Sequence, residues 1–160
     1  LWLNAKDEIS KKNLINEFKK QNLNVNRLVF AKRVEDKNDH LKRLKLADIF
    51  LDTYPYSSHS TAYDYISAGL PMITLRGNSY ASKVAASIYL SIDMDELIAN
   101  TFEDYENIAI NLANDGPKLN NLKKKIKMNI KNSIMSDGKK FTENLEKIYT
   151  DALYEKSKVL

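Results

Sequence analysis

The stretch LDTYPYSSHSTAYDYISAGLP, residues 51–71, decides the fold class of this chain. The apolar run that leads into it, residues 47–51, predicts a buried strand, and the segment rich in Tyr, Pro and Ser after it predicts a loop. A helix is predicted to begin near His59 and to end at the Gly-Leu-Pro of residues 69–71. A strand, a loop and a helix start in this order form the place where α/β folds bind phosphorylated ligands, because the first backbone N–H groups of a helix have no acceptor within it.

The polar side chains at this helix start are the first candidates for a binding site. His59, one of two histidines in the chain, is followed directly by the hydroxyls of Ser60 and Thr61. Asp64 comes about one helical turn later and faces the same way. From the spacing alone, a cap or a loop hydrogen bond is the more common role for such a histidine, and an acid in the first turn is favoured by the helix dipole. The pattern therefore leaves a binding role and a structural role open.

Short apolar runs alternate with amphipathic segments on both sides of this stretch. The runs predict strands at residues 1–4, 27–31, 47–51 and 71–75. The amphipathic segments predict a helix that Asp7 or Ser10 caps and that runs to about residue 22, and further helices at residues 37–46, 61–68 and 80–89. Strands that alternate with helices at this spacing indicate βαβ units, so we expect an α/β fold with a Rossmann-like parallel sheet and flanking helices.

The last part of the chain has a different pattern, in which helices follow each other without strands. Three amphipathic helices are predicted there, separated at residues 114–117 and 136–138 by segments that contain Asp and Gly. We therefore predict a Rossmann-like core over residues 1–100 and C-terminal helices over residues 101–160 that pack on it, within a single domain.

Composition excludes several classes of protein. No apolar run reaches the length of about 18 residues that a membrane span needs. The first residues, LWLNAK, lack the basic start and long apolar region of a signal peptide, and the absence of cysteine excludes disulfides and thiolate catalysis. A cytoplasmic location is therefore expected. Two histidines far apart in sequence disfavour a zinc site. Because the chain lacks an initiator Met and opens on a strand, we expect it to be a fragment of a longer protein.

The positive charge of the chain has two interpretations. The net charge is +4, and the run KKKIK at residues 123–127 resembles a patch for nucleic acid or an acidic membrane. Apolar residues recur at helical spacing through this segment, at Leu119, Leu122, Ile126 and Ile130. This periodicity, without interleaved aromatic residues for base stacking, favours the solvated face of an amphipathic helix. We therefore expect no nucleic-acid partner, and salt-sensitive binding through residues 123–131 is the weaker alternative.

Five segments carry a resemblance to a known family. They are RLVF at residues 27–30, LADIFLDTYPY at 46–56, HSTAYD at 59–64, AGLPMITL at 68–75 and SYASKVAAS at 79–87. Along nearly the whole chain, the sequence resembles the catalytic C-terminal half of O-linked N-acetylglucosamine transferases, the tetratricopeptide-repeat glycosyltransferases with a GT-B fold. The resemblance implies the donor-binding half of an inverting glycosyltransferase that passes N-acetylglucosamine from UDP-GlcNAc to Ser or Thr of proteins. The acceptor groove and the peptide-recruiting repeats would lie outside this chain.

The resemblance assigns roles to the residues at the helix start. His59, Ser60 and Thr61 match the element that cradles the diphosphate and stabilises the departing UDP. The family usually has Thr where this chain has Ser60, which keeps the hydroxyl and loses a methyl group. Asp64 matches the carboxylate that holds the ribose hydroxyls.

A second element matches the part of the family that meets the uridine. Lys37 would touch the ribose region, His40 would pack on the uracil ring, and Arg43 would reach a uracil carbonyl. Their three-residue spacings place them on one helix face, which is also the pattern of an ordinary solvated face. The backbone at Glu35 would supply a uracil edge contact, and the family often has Ala-Pro where this chain has Glu35-Asp36.

The resemblance implies no metal cofactor, because positive groups and helix-end N–H groups can stabilise the leaving UDP. It names no general base, and a water-mediated proton path stays open. The Gln and Lys that reach the ribose and phosphate in the family would lie upstream of Leu1. Because the acceptor side is absent as well, the isolated chain is expected to lack transferase activity. The alternatives are a nucleotide-binding module or degenerate fragment without activity, or a relative that uses UDP-glucose. Relatives that use another nucleotide sugar commonly lack a His at the position of His59, whose presence favours a UDP-sugar.

Overall fold

The computed structural model of the chain, which describes residues 1–5 and 7–157, shows an α/β protein with parallel strands and a helical C-terminal end. The predicted α/β class is therefore confirmed. The strands are short and form two parallel sheets, one of two strands and one of three. The described residues form two compact units, one up to His40 and one from Leu41 onward. The division at residue 100 that the sequence predicts stays a prediction.

The first unit contains a two-stranded parallel sheet and the helix between its strands. β1 is Trp2–Leu3, α1 is Glu8–Lys20 and β2 is Val29–Phe30, with Trp2 opposite Val29 in the sheet. Asp7 is the residue that caps α1: its carboxylate accepts from the Ser10 amide at 2.7 Å and from the Ser10 hydroxyl at 2.9 Å. The same hydrogen bonds lower the pKa of Asp7 below its ordinary value, since they stabilise the charged carboxylate.

The helix α2, Lys37–Leu44, begins in the first unit and ends in the second. Its start is fixed by Asp36, whose carboxylate accepts a hydrogen bond from the Asp39 amide at 2.9 Å. An acid at the residue before a helix satisfies one of the amides that the helix leaves without a partner. Asp36 is therefore a capping side chain at the start of α2.

The second unit is built on a three-stranded parallel sheet. β3 is Phe50–Leu51, β4 is Met72–Leu75 and β5 is Ile98–Ala99, in the order β3-β4-β5. The helices are α3 Ser60–Ser67, α4 Val84–Leu90, α5 Phe102–Asn114, α6 Gly116–Asn132 and α7 Gly138–Ser157. The central strand, β4, is buried along its whole length, as its unbroken apolar sequence predicts. β5 lies outside the four apolar runs that predict strands in the sequence.

The core of the second unit lies between the sheet and helices α3, α4 and α6. Its largest fully buried side chains include Ile66, Met72, Tyr89 and Ile126. The Tyr89 hydroxyl lies inside this core and accepts a hydrogen bond from the Met72 amide at 2.6 Å. Burial raises the pKa of Tyr89 well above its ordinary value, because a phenolate would have to form out of contact with water. Tyr89 thus ties α4 to the first residue of β4.

The helix α3 ends where the sequence predicts, at the Gly-Leu-Pro segment. Gly69 has a φ of +74°, the left-handed conformation in which residues with a Cβ are strained. The stem of Lys127 from α6 packs against this glycine so closely that a Cβ would overlap it. The chain therefore turns directly from α3 into β4.

The lysine-rich run forms the outer side of α6. Leu119, Leu122 and Ile126 are buried beneath it, as the helical spacing predicts. Lys123 pairs with Asp48 at 3.2 Å, and Lys125 pairs with Glu96. In the part of the chain that the structure describes, no helix is both long and apolar enough to cross a membrane.

Candidate functional site

The candidate site lies at the carboxyl ends of the strands in the second unit. The first loop, residues 52–59, connects β3 to α3, and the second loop, residues 76–83, connects β4 to α4. β3 and β4 are neighbouring parallel strands, so both loops leave the same edge of the sheet. Open parallel sheets bind ligands outside the carboxyl ends of their strands.

The first loop is held by a buried carboxylate at its beginning. Asp52 is 6% exposed and follows β3 directly. One of its carboxylate oxygens accepts from the Ser58 amide at 2.8 Å, and the other accepts from the Thr74 hydroxyl of β4 at 2.7 Å. One side chain therefore links the two ends of the first loop to the central strand.

Asp52 is also linked to α5 through its backbone. The Tyr105 hydroxyl donates to the Asp52 carbonyl at 2.9 Å. Burial, together with the negative charge of Asp52, raises the pKa of Tyr105 to about 12. The hydroxyl therefore keeps its proton and remains a donor across the neutral range.

The two loops are tied to each other at a single carbonyl. The Ala81 carbonyl in the second loop accepts from the Ser57 amide at 3.0 Å and from the Ser57 hydroxyl at 2.8 Å. Ser57 is 1% exposed, and its hydroxyl oxygen also accepts from the Ala85 amide of α4 at 3.4 Å. The position of the first loop thus depends on the second.

The second loop closes on itself through two serines. The hydroxyls of Ser79 and Ser82 lie 2.9 Å apart, and the Ser79 amide donates to the Ser82 hydroxyl at 3.1 Å. Gly77 passes so close to Ser82 that a Cβ would overlap its side chain. Because this turn occupies the residues before Val84, α4 begins there and not at Tyr80, where the sequence predicts it.

His59 is half-buried at the end of the first loop. Its Nε2 lies 3.3 Å from the Ala81 carbonyl oxygen, and its Nδ1 lies 3.4 Å from the Tyr56 hydroxyl. A carbonyl oxygen can only accept, so this arrangement suits the tautomer with the proton on Nε2, which leaves Nδ1 to accept from Tyr56. His59 is the residue directly before α3, but its side chain makes no cap hydrogen bond and contacts the loops instead.

Exposed aromatic rings surround His59. Tyr56 stacks on the imidazole with ring centroids 4.6 Å apart, and Tyr80 meets it edge-on at 6.2 Å. Beside them, Tyr54 packs edge-on against Phe102 at 5.4 Å. Tyr56 is 62% exposed and Tyr80 is 82% exposed. Large rings left in water at one place are typical of a surface that binds something.

The start of α3 presents the other predicted side chains. Ser60 and Thr61 are exposed in the first turn, and Asp64 is half-buried one turn later. The first amides of a helix have no acceptor within it, and the dipole places a positive potential there. Hydroxyls, amides and the imidazole are thus all hydrogen-bond donors at the same end of the sheet.

Arg43 belongs to the second unit, at the end of α2. Burial raises the pKa of Tyr65, the charges of Asp52 and Asp64 raise it further, and the charge of Arg43 lowers it. Tyr65 lies in α3 and stacks on Phe50 with ring centroids 3.9 Å apart. Arg43 and Asp64 therefore both act on the same partly buried tyrosine.

The remaining predicted residues lie in the first unit. Glu35 and Lys37 are exposed, and His40 is half-buried. Lys37 and His40 are both in α2, as predicted. The binding roles of all eight candidate residues stay predictions. Among residues 1–5 and 7–157, no three His, Cys, Asp or Glu side chains are grouped as a metal site requires.

Comparison with known proteins identifies the family. Residues 1–145 match the model of glycosyl transferase family 41. The chain belongs to this family. A solved structure of the same kind, a mutant of the Thermobaculum terrenum O-GlcNAc transferase, matches with a TM-score of 0.85 and 28% identity, over 93% of this chain and 29% of that one. The family and the GT-B-type fold that the resemblance implies are therefore confirmed.

Curated relatives of this family 41 chain come from animals and plants. The UDP-N-acetylglucosamine–peptide N-acetylglucosaminyltransferase of Caenorhabditis elegans is 36% identical over 78% of this chain, which is 11% of the relative. The probable enzyme SEC of Arabidopsis thaliana is 37% identical over 71% of this chain and 12% of its own length. The probable enzyme SPINDLY of Solanum lycopersicum is 35% identical over 70% of this chain and 12% of its own length. The chain thus spans a small part of the relatives it matches.

Proposed function

We propose that this chain is the donor-binding half of an inverting glycosyltransferase and that it holds UDP-N-acetylglucosamine. The complete enzyme would transfer N-acetylglucosamine from this donor to a Ser or Thr hydroxyl of a protein. The observation that carries the proposal is the start of α3, where His59, Ser60 and Thr61 follow a strand end in a chain that matches family 41 over residues 1–145. The printed names of the relatives describe N-acetylglucosaminyl transfer to peptides.

The donors at the start of α3 suit a diphosphate. The helix end carries a partial positive charge of about half an elementary charge, and the hydroxyls and the His59 Nε2–H add directed hydrogen bonds. Negative charge develops on UDP as the sugar leaves, so these donors act most strongly in the transition state. With these groups at the diphosphate, we propose donor binding without a metal cofactor.

His59 can turn toward a ligand at little cost. When its Nε2 leaves the Ala81 carbonyl, that oxygen still accepts from both the amide and the hydroxyl of Ser57. No buried acceptor loses its only partner, and a lost partner is what makes breaking such a contact expensive. The contact with the Ala81 carbonyl therefore does not oppose a rotation of His59 toward a ligand.

The uridine would be held by the second set of residues. We propose that Lys37 meets the ribose region, His40 packs on the uracil, and Arg43 reaches a uracil carbonyl. The backbone at Glu35 would contact the uracil edge, and the Asp64 carboxylate would accept from the ribose hydroxyls.

Calorimetric titration of the full-length protein that contains this chain, with UDP, GDP and UDP-N-acetylglucosamine, tests the proposal. We expect UDP and the UDP-sugar to bind, GDP to bind more weakly, and Asp64→Ala to weaken UDP binding. Glu143→Ala, an exposed acid on α7, is the matched control and should bind UDP normally. Absence of UDP binding would contradict the donor-site proposal.

An assay of sugar transfer by the full-length protein distinguishes the alternative functions. Transfer of N-acetylglucosamine to a peptide acceptor is expected of the full-length protein and not of residues 1–160 alone. UDP binding without transfer by the full-length protein would favour a binding module. Preferred transfer of glucose would favour a UDP-glucose enzyme.

A further inference from the structure

We propose that Asp52 is a positioning residue of the donor site, whose buried carboxylate fixes the first loop and thereby the place where His59 and the start of α3 meet a diphosphate. This inference rests on the proposed function above. Asp52 is not among the eight residues to which the resemblance assigns a binding role, and its carboxylate is bonded inside the protein.

Both oxygens of the Asp52 carboxylate accept hydrogen bonds inside the protein. It is 6% exposed, and its two oxygens accept at 2.8 Å from the Ser58 amide and at 2.7 Å from the Thr74 hydroxyl. A carboxylate is costly to bury and is tolerated where such hydrogen bonds compensate for lost water. Both oxygens thus bind groups of the loop and of β4, so the carboxylate acts on the loop.

The hydrogen bond to Ser58 acts at the residue just before His59. The preceding part of the loop, residues 53–56, is exposed, and within it the Thr53 hydroxyl donates to the Tyr56 carbonyl at 2.7 Å. Ser57 is bound to the second loop, and Ser58 is bound through Asp52 to β4. Two adjacent residues are thus held from two directions, which removes the freedom that ligand binding would otherwise have to restrict.

The charge of Asp52 and its positioning role have opposite effects on an anionic ligand. A buried negative charge at this edge of the sheet repels a diphosphate, whereas the ordered loop attracts it by presenting donors in place. Replacing Asp52 by Asn removes the charge and keeps the shape, but the amide NH₂ then faces the Thr74 hydroxyl or the Ser58 amide. One of the two hydrogen bonds must reverse or break. The sign of the change in UDP affinity therefore separates the two effects.

Thr74→Val provides a matched variant that leaves the charge in place. Thr74 is fully buried in β4, and Val has nearly its shape without the hydroxyl. The carboxylate would lose one of its two partners while its charge stays, so only the positioning effect changes. Ser87→Ala is the control, because the exposed Ser87 hydroxyl bonds only to the Val84 carbonyl of its own helix.

The experiment measures UDP affinity by calorimetry in the full-length protein for the wild type and the three variants, at a temperature where urea titrations show each one folded. We expect Asp52→Asn to bind UDP about tenfold more weakly, the size of one hydrogen bond. Thr74→Val should bind several-fold more weakly, and Ser87→Ala should bind like the wild type. If Asp52→Asn does not fold, Thr74→Val decides the question.

A spectroscopic measurement separates positioning from general stability. In two-dimensional NMR spectra, the Ser58 amide proton should shift upfield and exchange faster with solvent in Asp52→Asn, while amides of β4 stay protected. Unchanged or tighter UDP binding by Asp52→Asn, or an unperturbed Ser58 amide, would overturn the positioning role. A wild-type protein that fails to bind UDP would instead overturn the proposed function, and this inference with it.

Discussion

The first and second loops occupy equivalent positions in the fold but differ in chemistry. Each follows one of two neighbouring parallel strands and leads to a helix on the same sheet. The first loop is anchored from outside by Asp52 and passes directly into α3, so His59 and two hydroxyls stand at the helix start. The second loop is closed by its own serines and ends in a turn before α4. One loop presents ligand-type side chains, and the other supports them through the Ala81 carbonyl.

The largest expected effect concerns His59, the ligand-type side chain at the end of the first loop. His59→Ala should weaken UDP binding by about 2 kcal/mol, the value of a hydrogen bond to a charged group. Ser79→Ala, at the corresponding place in the second loop, should leave UDP binding nearly unchanged, because its hydroxyl bonds within its own turn. Calorimetry on both variants is the measurement, and an equal loss in both would show that the loops do not divide their functions in this way.

The next effect concerns the tie between the loops. Ser57→Ala should lower the free energy of unfolding by about 1–2 kcal/mol, because the Ala81 carbonyl loses a donor and the Ala85 amide loses its acceptor in a buried place. Urea denaturation followed by circular dichroism measures this change. The control is Ser133→Ala, whose hydroxyl bonds to the nearby Ile130 carbonyl at the end of α6. Equal stability of Ser57→Ala and the wild type would rule out the tie.

A smaller effect tests how closely the second loop is packed. Gly77→Ala adds a Cβ that must displace the Ser82 side chain, so we expect a loss of on the order of 1 kcal/mol in unfolding free energy. Gly116→Ala is the matched control, since a Cβ there meets no neighbouring atom. Thermal melting of the two variants compares them directly, and a melting temperature of Gly77→Ala at or above that of Gly116→Ala would contradict the close packing.

The smallest expected effect tests the contact between the Tyr56 hydroxyl and the Nδ1 atom of His59. Tyr56→Phe keeps the stacked ring and removes the hydroxyl beside Nδ1, a long contact that we expect to contribute about 0.5 kcal/mol to UDP binding. Without this donor, the tautomer with the proton on Nδ1 should become more populated, which nitrogen-15 shifts of the imidazole report. Tyr80→Phe is the control, because Tyr80 meets the imidazole through its ring. Identical imidazole spectra in Tyr56→Phe and the wild type would show that the Tyr56 hydroxyl does not donate to Nδ1.

Much of the local structure could be predicted because its causes are local. Asp7 capped α1 as one of two predicted alternatives, Gly69 ended α3, and the buried face of α6 followed the 3.6-residue period. β5 could not be predicted, because its two residues, Ile98 and Ala99, are too few to show the periodicity of a strand. The late start of α4 could not be predicted either, because it depends on a turn that the hydroxyls of Ser79 and Ser82 close before the helix.

The candidate site also has features that the local sequence determines and features that depend on tertiary contacts. The sequence determined by itself that donors follow a strand at a helix start, since neighbouring residues and backbone geometry fix this arrangement. Only the tertiary structure decided that Asp52 binds Ser58 and Thr74, that Ser57 joins the two loops, and that His59 rests on Ala81 beneath Tyr56. The partners in these contacts are up to 24 residues apart, and hydrogen bonds of a few ångströms between such residues exist only once parallel strands have brought their loops together.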